Sequence, residues 1–500
     1  MAQLEDFKIY RGKNYQLLKS RDFGEIVFGC PPGMVKEFAR KKQELPARHV
    51  IPVRAFVNGR NNFDFEFIIY SVLFGRSSRK KIIIHCTPDQ ECRFRIILGE
   101  TLFGPNFYHL VKAQFRKTPA ACKFLPKETR LFGEFLQKIA SDKTLFGIFR
   151  DLLKSHAGPR TLDQKIREYF ENTLIKNKWK TYQNIPGLTR QLARNYIICA
   201  QLRQEMEMFA LCPENKQFEF INQTVEFHHF DERNVAYIPG ERDKRKKLKV
   251  VQARSSFFEL YLKNRLIRTI DLRKIEPVRK HSAVKPIEKP FMGVTFLGVG
   301  SGFTPKRENS CLVVWTEGKG IMVDALMGSS LLAMNYGITE SDVAYLFLSH
   351  VHSDHDVGII EKLLHGKRVR LISSRIVFES FLRKVEAITC FSQDVIEGFI
   401  DFVEVEPHKT IKLPGFKNSY FKFDYSLHSI PTGRFTLTYK KNGIKKTISH
   451  SGDTKYDVQK INQWRQQGIL STKRRDETLG FIWDADLIIH DIGGGNLHTE

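Results

Sequence analysis

The chain has 500 residues, with 80 Lys and Arg against 55 Asp and Glu, for a formal charge of +25. That length exceeds what one ordinary core serves, so two or more domains are expected. No apolar run reaches the roughly 18 residues of a membrane span, and Met1 to Asp6 lacks the basic start and apolar stretch of a secretion signal, so the expected location is the cytoplasm, without membrane contact.

The charge is uneven. Residues 291–500 hold 25 basic and 24 acidic side chains, a net of +1, which leaves 55 basic and 31 acidic, a net of +24, on the preceding 290. Such a front half suits a polyanionic partner, nucleic acid ahead of anionic membrane, or is simply a basic soluble domain. The eight cysteines never form a Cys-x-x-Cys pair and are read as reduced small hydrophobes.

In chain order, residues 1 to about 120 read as short strands and loops, for example Ile82 to Ile84 and Phe94 to Leu98. From Lys127 to Ala210 the period is helical. Leu145, Ile148, Phe149 and Leu152 share a face after a capping candidate, Ser141, and Leu192, Cys199, Leu202 and Met206 line a second helix with Pro186 near its start. Strand-like runs return from Phe218 to Asp271 around the basic stretch Arg242 to Lys249, which offers contacts to phosphates but is read by default as a solvated loop or hairpin tip. No internal repeat is visible. Val278 to Pro290, aperiodic with two prolines, is the expected linker. The domains are therefore 1–280, a mixed α+β region, and 291–500. In the latter, Gly293 to Gly298 reads as a strand before a Gly-rich loop. Ser310 to Trp315 and Gly320 to Asp324 form a hairpin, Val343 to Leu348 is an apolar strand, a helix runs from about Ile376 to Ile388, and Phe435 to Tyr439 pairs with Lys445 to Ser449 across Asn442-Gly443. Strands with interspersed helices give an α/β class.

The chemistry begins where the apolar strand ends. Ser349-His350-Val351-His352-Ser353-Asp354-His355 places three histidines and an aspartate within six residues. Imidazole and carboxylate suit borderline-soft divalent ions when thiolates are absent, and alternate side chains of such a segment serve two neighbouring positions. His350 and His352 are assigned to a first ion, Asp354 and His355 to a second. His428, in Leu427-His428-Ser429-Ile430-Pro431, is the candidate third histidine of the first site, and Asp453, in Ser451-Gly452-Asp453-Thr454, the candidate bridging carboxylate. Each of these two alone is as well explained as an ordinary half-buried histidine or a turn residue.

With these residues in view, Gly293 to Glu500 resembles the metallo-β-lactamase-fold hydrolases, and most of all the phosphodiesterase branch that contains ribonuclease Z. The matching pieces are Gly298-Val299-Gly300-Ser301-Gly302, Arg307-Glu308-Asn309-Ser310, Asp324, the histidine segment, His428 with Pro431 and Gly433, Ser451 to Thr454, and Ala485 to Asp491. The resemblance implies a four-layer αβ/βα sandwich for the C-terminal part, two divalent ions, zinc first and manganese second, and a phosphodiester substrate, RNA or a cyclic nucleotide. It gives His490 an acid role, and His498-Thr499 matches a later His-Ser-Thr segment loosely. There are three departures. No final metal-binding histidine follows His490 before Glu500, so the sequence is incomplete, or His490 or His498 is recruited, or the second site is weak, the first being expected. Only 25 positions separate His428 from Asp453, too few for a tRNA-gripping arm. Ile492 to Asn496 replaces the usual His-Glu-Ala-Thr and resembles subgroups linked to cyclic-nucleotide phosphodiesterases.

The implied mechanism uses a hydroxide bridging the two ions as nucleophile, Asp354 orienting it, His490 protonating the leaving alkoxide, and Gly300, Ser301, Gly302 and Arg307 holding phosphoryl oxygens. The glycines are equally explained by a tight turn. Two other classes stand beside this one: a lactone or thioester hydrolase on the same fold, and a nucleic-acid-binding or regulatory protein with a vestigial pocket, with a homodimer among the expectations.

Overall fold

The computed structural model describes residues 6–53, 56–57, 60–61, 64–73, 81–116, 126–175, 187–273 and 287–499. Residues 278–286 of the expected linker, and Pro186, lie outside them. The chain folds into two compact units. The first combines residues 1–101, 215–371 and 381–402, and the second 102–214, 372–380 and 403–500.

The first part of the chain supplies β1 (Lys8–Arg11), β2 (Gln16–Ser20), β3 (Gly24–Phe28), α1 (Met34–Arg40), β4 (Arg48–Val50), β5 (Phe56–Val57), β6 (Arg60–Asn61), α2 (Phe65–Leu73), β7 (Ile82–Cys86) and α3 (Pro88–Leu98). Helices α4 (Phe107–Phe115), α5 (Pro126–Ser141), α6 (Lys143–Lys154), α7 (Pro159–Tyr169), α8 (Leu188–Phe209) and α9 (Gln217–Thr224) follow, then β8 (Val225–His229), β9 (Val235–Pro239), β10 (Lys247–Arg254), β11 (Phe257–Leu262) and β12 (Arg265–Asp271). Strands β1-β2-β3-β4-β7-β8 form one sheet and β12-β11-β10-β9 another. Their inner faces meet through Leu18, Phe28, Val50, Ile238, Val250 and Phe258, the alternating inward positions of a sandwich.

Two expectations fail here for local reasons. Phe94 to Leu98 is helical, not extended, because Thr87 and Gln90 close a capping box just before Pro88 and the turns that follow bury Phe94, Ile97 and Leu98. Phe218 to Thr224 is likewise helical. The helical stretch after Lys127 holds, with Asp142 as the N-cap in place of Ser141, and the basic stretch after Arg242 turns into β10 as a hairpin tip.

The remaining chain adds β13 (Met292–Gly298), β14 (Cys311–Thr316), β15 (Lys319–Val323), α10 (Ser329–Asn335), β16 (Val343–Phe347), α11 (Ser353–Leu364), β17 (Val369–Ser373), α12 (Arg375–Thr389), α13 (Gln393–Glu397) and β18 (Ile400–Glu404). After these come β19 (Thr410–Lys412), β20 (Ser419–Ser426), β21 (Thr432–Lys441), β22 (Ile444–His450), α14 (Val458–Gln466), α15 (Thr472–Gly480) and β23 (Leu487–Ile489). They make the sheets β13-β14-β15-β16-β17-β18 and β19-β20-β21-β22-β23. The β21–β22 hairpin turns at Asn442 and Gly443, both at positive φ, as the Asn-Gly pair demands.

A repeat that the sequence hides is plain in the topology. β1, β2 and β3 pair antiparallel and β3 pairs parallel with β4; β13, β14 and β15 pair antiparallel and β15 pairs parallel with β16. In both sheets the fourth strand leads on to a helix, α2 or α11. The residues after β4 contain no histidine before α2, so the first copy lacks the chemistry of the second.

In the second unit, Arg474 donates to both carboxylate oxygens of Glu205 (2.7 and 3.0 Å), to Asp424 (3.1 Å) and to the carbonyl of Tyr425, while Arg434 also pairs with Asp424. All four charged side chains are buried, so each is held by its partners and not by water. No described helix is long and apolar enough to cross a membrane, and no disulfide links the described cysteines.

Candidate metal centre

In the first unit, β16 delivers Ser349 and His350, and the next residues start α11, so Asp354 and His355 sit on a helical turn instead of a loop. Every imidazole here is oriented by a second partner. Ser349 Oγ donates to Asp324 Oδ2 (2.7 Å) and therefore accepts from His350 Nδ1 (2.8 Å). The carbonyl of Thr101 lies 3.0 Å from His352 Nε2, and Asp324 Oδ2 lies 3.0 Å from His355 Nδ1. Those acceptors fix the tautomers, leaving lone pairs on His350 Nε2, His352 Nδ1 and His355 Nε2.

The first two of these lone pairs face each other at 3.0 Å. Two acceptors repel at that distance, whereas a tetrahedral ion with bonds of about 2.0–2.1 Å spaces its nitrogen ligands by roughly 3.3 Å. His355 Nε2 lies 3.6 Å from Asp354 Oδ1, a second pair of donors. This donor set fits divalent metal ions. Asp324 groups with His350 and His355 within 4.8 Å, but its oxygens are engaged by Ser349 and His355, so its part is to orient. Its left-handed φ of 52° aims the carboxylate back at the strand.

The Gly-rich loop comes close. A Cβ on Gly302 would lie 3.0 Å from Asp354 Oδ2 and 2.1 Å from the Phe67 ring, so only glycine brings the backbone this near. Gly300 has a similar constraint from the Glu308 carbonyl, while the Ser301 side chain meets Thr304 (3.0 Å). Arg307 is exposed, its carbonyl accepting from Lys36 (3.1 Å).

In the second unit, His428 follows β20 and is 2 % exposed. Burial pushes its imidazole down to about 4, against the opposing pull of Asp453. Its ring lies 5.4 Å from that of His498. Asp453 follows β22 at Gly452, whose φ of 59° favours glycine and where a Cβ would lie 2.4 Å from the Gly433 carbonyl oxygen. The chain leaves β23 at Asp491, turns through Gly493 to Asn496 and returns, clipped by Thr499, which donates to the Thr454 carbonyl (2.9 Å) and accepts from Tyr456 N–H (3.1 Å). The return sets His498 Nδ1 2.7 Å from Asp491 Oδ2 and 3.8 Å from Asp453 Oδ2, and donor atoms of these three residues lie within 4.8 Å of one another.

His490 points elsewhere. Its half-buried ring packs on Tyr456 (5.6 Å) and Trp483 (5.7 Å), neither nitrogen has a hydrogen-bond partner, and burial lowers its pKa. The structure thus brings together His350, His352, Asp354 and His355 in one unit, and His428, Asp453, Asp491 and His498 in the other. Asp491 and His498 carried a weak signal in the sequence as the ends of a Gly-rich turn. Thr101 and the orienting role of Asp324 carried none, because they depend on long-range placement.

A histidine segment at the end of a parallel strand, continued on a helix and followed by a second sheet bearing His428 and Asp453, makes residues 292–499 resemble the metallo-β-lactamase-fold hydrolases. The family model described as "Anti-Pycsar protein Apyc1" matches residues 292–476. Over 505 aligned residues the chain is 28% identical to the cAMP/cGMP-dependent 3',5'-cAMP/cGMP phosphodiesterase B of Dictyostelium discoideum, covering 98% of this chain and 41% of that protein. It is 29% identical to the cGMP-dependent 3',5'-cGMP phosphodiesterase A of the same organism, covering 58% of this chain and 33% of that protein. Ribonuclease Z of Methanopyrus kandleri is 26% identical over 37% of this chain and 61% of its own length. The chain therefore spans less than half the length of the two phosphodiesterases.

Proposed function

We propose that this protein is a metal-dependent phosphodiesterase that opens 3',5'-cyclic nucleotides. The observation that carries the reading is the similarity to a cyclic-nucleotide phosphodiesterase along 98% of the chain. The geometry supports a small substrate: the residues between His428 and Asp453 are spent on one turn and the tightly paired β21–β22 hairpin, with none left for an RNA-gripping arm.

In this reading His350, His352, His428, Asp354, His355 and Asp453 would hold the two ions, with His498 as a further ligand. The ions are zinc, with manganese as the alternative. When bound, they supply Lewis acidity and bring the pKa of a water towards neutrality. Asp354 would orient the attacking water. The backbone of Gly300, Ser301 and Gly302, with Arg307, binds the phosphoryl oxygens. His490 hands a proton to the leaving ribose oxygen, a role its lowered pKa leaves open only if the substrate supplies a partner for its ring.

A second reading, cleavage of RNA in the manner of ribonuclease Z, draws on the net +24 of the first 290 residues and would give that region a nucleic-acid contact. A cytoplasmic location and a homodimer belong to the same set of proposals. The deciding experiment offers the metal-loaded protein cAMP, cGMP, a tRNA precursor and bis-p-nitrophenyl phosphate. Cyclic nucleotides turned over to 5'-monophosphates, with the precursor intact, are expected. Precursor cleavage without cyclic-nucleotide turnover selects the nuclease, and turnover of lactones or thioesters alone defeats both.

A further inference from the structure

The helix that carries Asp354 and His355 starts without a conventional cap. Its N-cap residue is His352, which makes no side-chain cap hydrogen bond and whose ring is committed to Thr101 and to the metal face. A helix start left with bare N–H groups frays, and fraying here would loosen two ligands at once. The N–H of Ser353 instead donates to Glu66 Oε2 at 2.9 Å. Glu66 is on α2, 287 positions away in sequence, and is 1% exposed; its other oxygen, Oε1, is buried with no hydrogen-bond partner. Lys384 completes the clamp, donating to the Val351 carbonyl (2.8 Å), Ser353 Oγ (3.3 Å) and Asp356 Oδ2 (2.7 Å).

The placement follows from the repeat. Helix α2 is the first copy's counterpart of α11, succeeding the fourth strand of its sheet, but it follows a segment without histidines. One turn of α2 presents Glu66 to the metal helix and Phe67 to the Gly-rich loop, where its ring meets Phe303 at 5.2 Å and limits residue 302 to glycine. Isolated buried carboxylates are costly, so a fully buried Glu aimed at a helix start is more than filling.

We infer that Glu66 is a positioning residue: the first copy, whose segment between β4 and α2 has no histidine, caps the metal-bearing helix of the second, holding Asp354 and His355 in register. The inference rests on the metal-centre reading for its effect on activity, but the cap itself does not.

The test compares Glu66→Leu, which keeps the volume without the acceptor, with Glu66→Gln, which keeps an acceptor for the Ser353 N–H. For the full chain, amide exchange in residues 353–357 is measured without metal, and cobalt(II) is titrated by its visible spectrum. Glu66→Leu is expected to speed exchange at least about ten-fold and to weaken the second cobalt site by about 10–100-fold, the usual cost of losing an outer-shell partner, with Glu66→Gln restoring both. If the leucine variant fails to fold, Ser353→Pro removes the donor instead. Proline is accepted at the first helical position, and His352 already has the extended backbone (φ −64°, ψ 145°) that proline requires before it. It should weaken the same cobalt site. Wild-type exchange and cobalt titration in Glu66→Leu, or in Ser353→Pro where that variant stands in, overturn the inference. A wild-type protein that takes no cobalt sinks the proposed function and leaves the exchange comparison to decide the cap.

Discussion

Gly302→Ala is the mutation whose effect the structure specifies best. The backbone of Gly302 is not left-handed, so alanine is penalised only by space. Its methyl carbon would sit 2.1 Å from Phe67 Cε1 and 2.2 Å from Cζ. An ordinary carbon contact is about 3.5–4.0 Å, so ring or loop must retreat by well over an ångström. Overpacking of this kind costs about 1–3 kcal/mol, and displacement of a positioning loop by about 1 Å costs on the order of 100-fold in rate. Because Asp354 Oδ2 is the next neighbour at 3.0 Å, the loop cannot move to that side without disturbing a proposed ligand. We therefore expect kcat/KM for a cyclic nucleotide to fall about 100-fold while the unfolding free energy drops by about 1–3 kcal/mol. The assay is a double-mutant cycle with Phe67→Ala, followed by turnover and by urea unfolding. Removing the ring should make the added methyl nearly neutral, with a coupling of about 1–3 kcal/mol. Full activity in Gly302→Ala alone, or strict additivity with Phe67→Ala, would refute the steric argument.

Three other outcomes follow from separate parts of the molecule. Arg474→Met strands the buried Glu205 and leaves Asp424 to Arg434 alone, and should cost about 3–5 kcal/mol in denaturant unfolding; a loss under 1 kcal/mol would mean water reaches Glu205. His49 is fully buried, and burial lowers its pKa to about 4 against a weaker opposing hydrogen bond to the Pro46 carbonyl. The unfolded chain then binds the extra proton, so His49's share of stability is complete above about pH 6.5 and is lost as pH falls towards 4. His49→Gln should flatten the wild-type decline between pH 6.5 and 4, and an unchanged slope in urea titrations would contradict this. If His490 protonates the leaving group, His490→Ala should slow cyclic-nucleotide opening by about 100-fold or more yet barely change p-nitrophenyl ester cleavage, whose leaving group needs no proton. Equal losses on both substrates would remove it from that role and turn attention to His498.

Much of the second half was legible because its signals are local. The Asn442-Gly443 turn, the apolar run into His350 and the spacing of His350, His352, Asp354 and His355 each follow from a few consecutive residues. The first half was less so: Phe94 to Leu98 looks extended until the Thr87–Gln90 capping box upstream is weighed. The repeat escaped because it lives in strand order and direction, which composition does not encode. What remained hidden in the site came from distant segments. Thr101 fixes a tautomer from 251 positions away and Glu66 caps from 287, distances over which no sequence period operates. Asp491 and His498 needed the fold-back at Gly493 to meet Asp453.

In the proposed function, side chains far apart in sequence hold metal for phosphodiester chemistry. Metal content by mass spectrometry after dialysis, on wild type and on His350→Ala with His352→Ala, tests it most directly. About two zinc or manganese ions per wild-type chain are expected, with loss of both metal and cyclic-nucleotide turnover in the double variant. A wild-type protein that retains no divalent ion, or a double variant that still hydrolyses cyclic nucleotides, would contradict it.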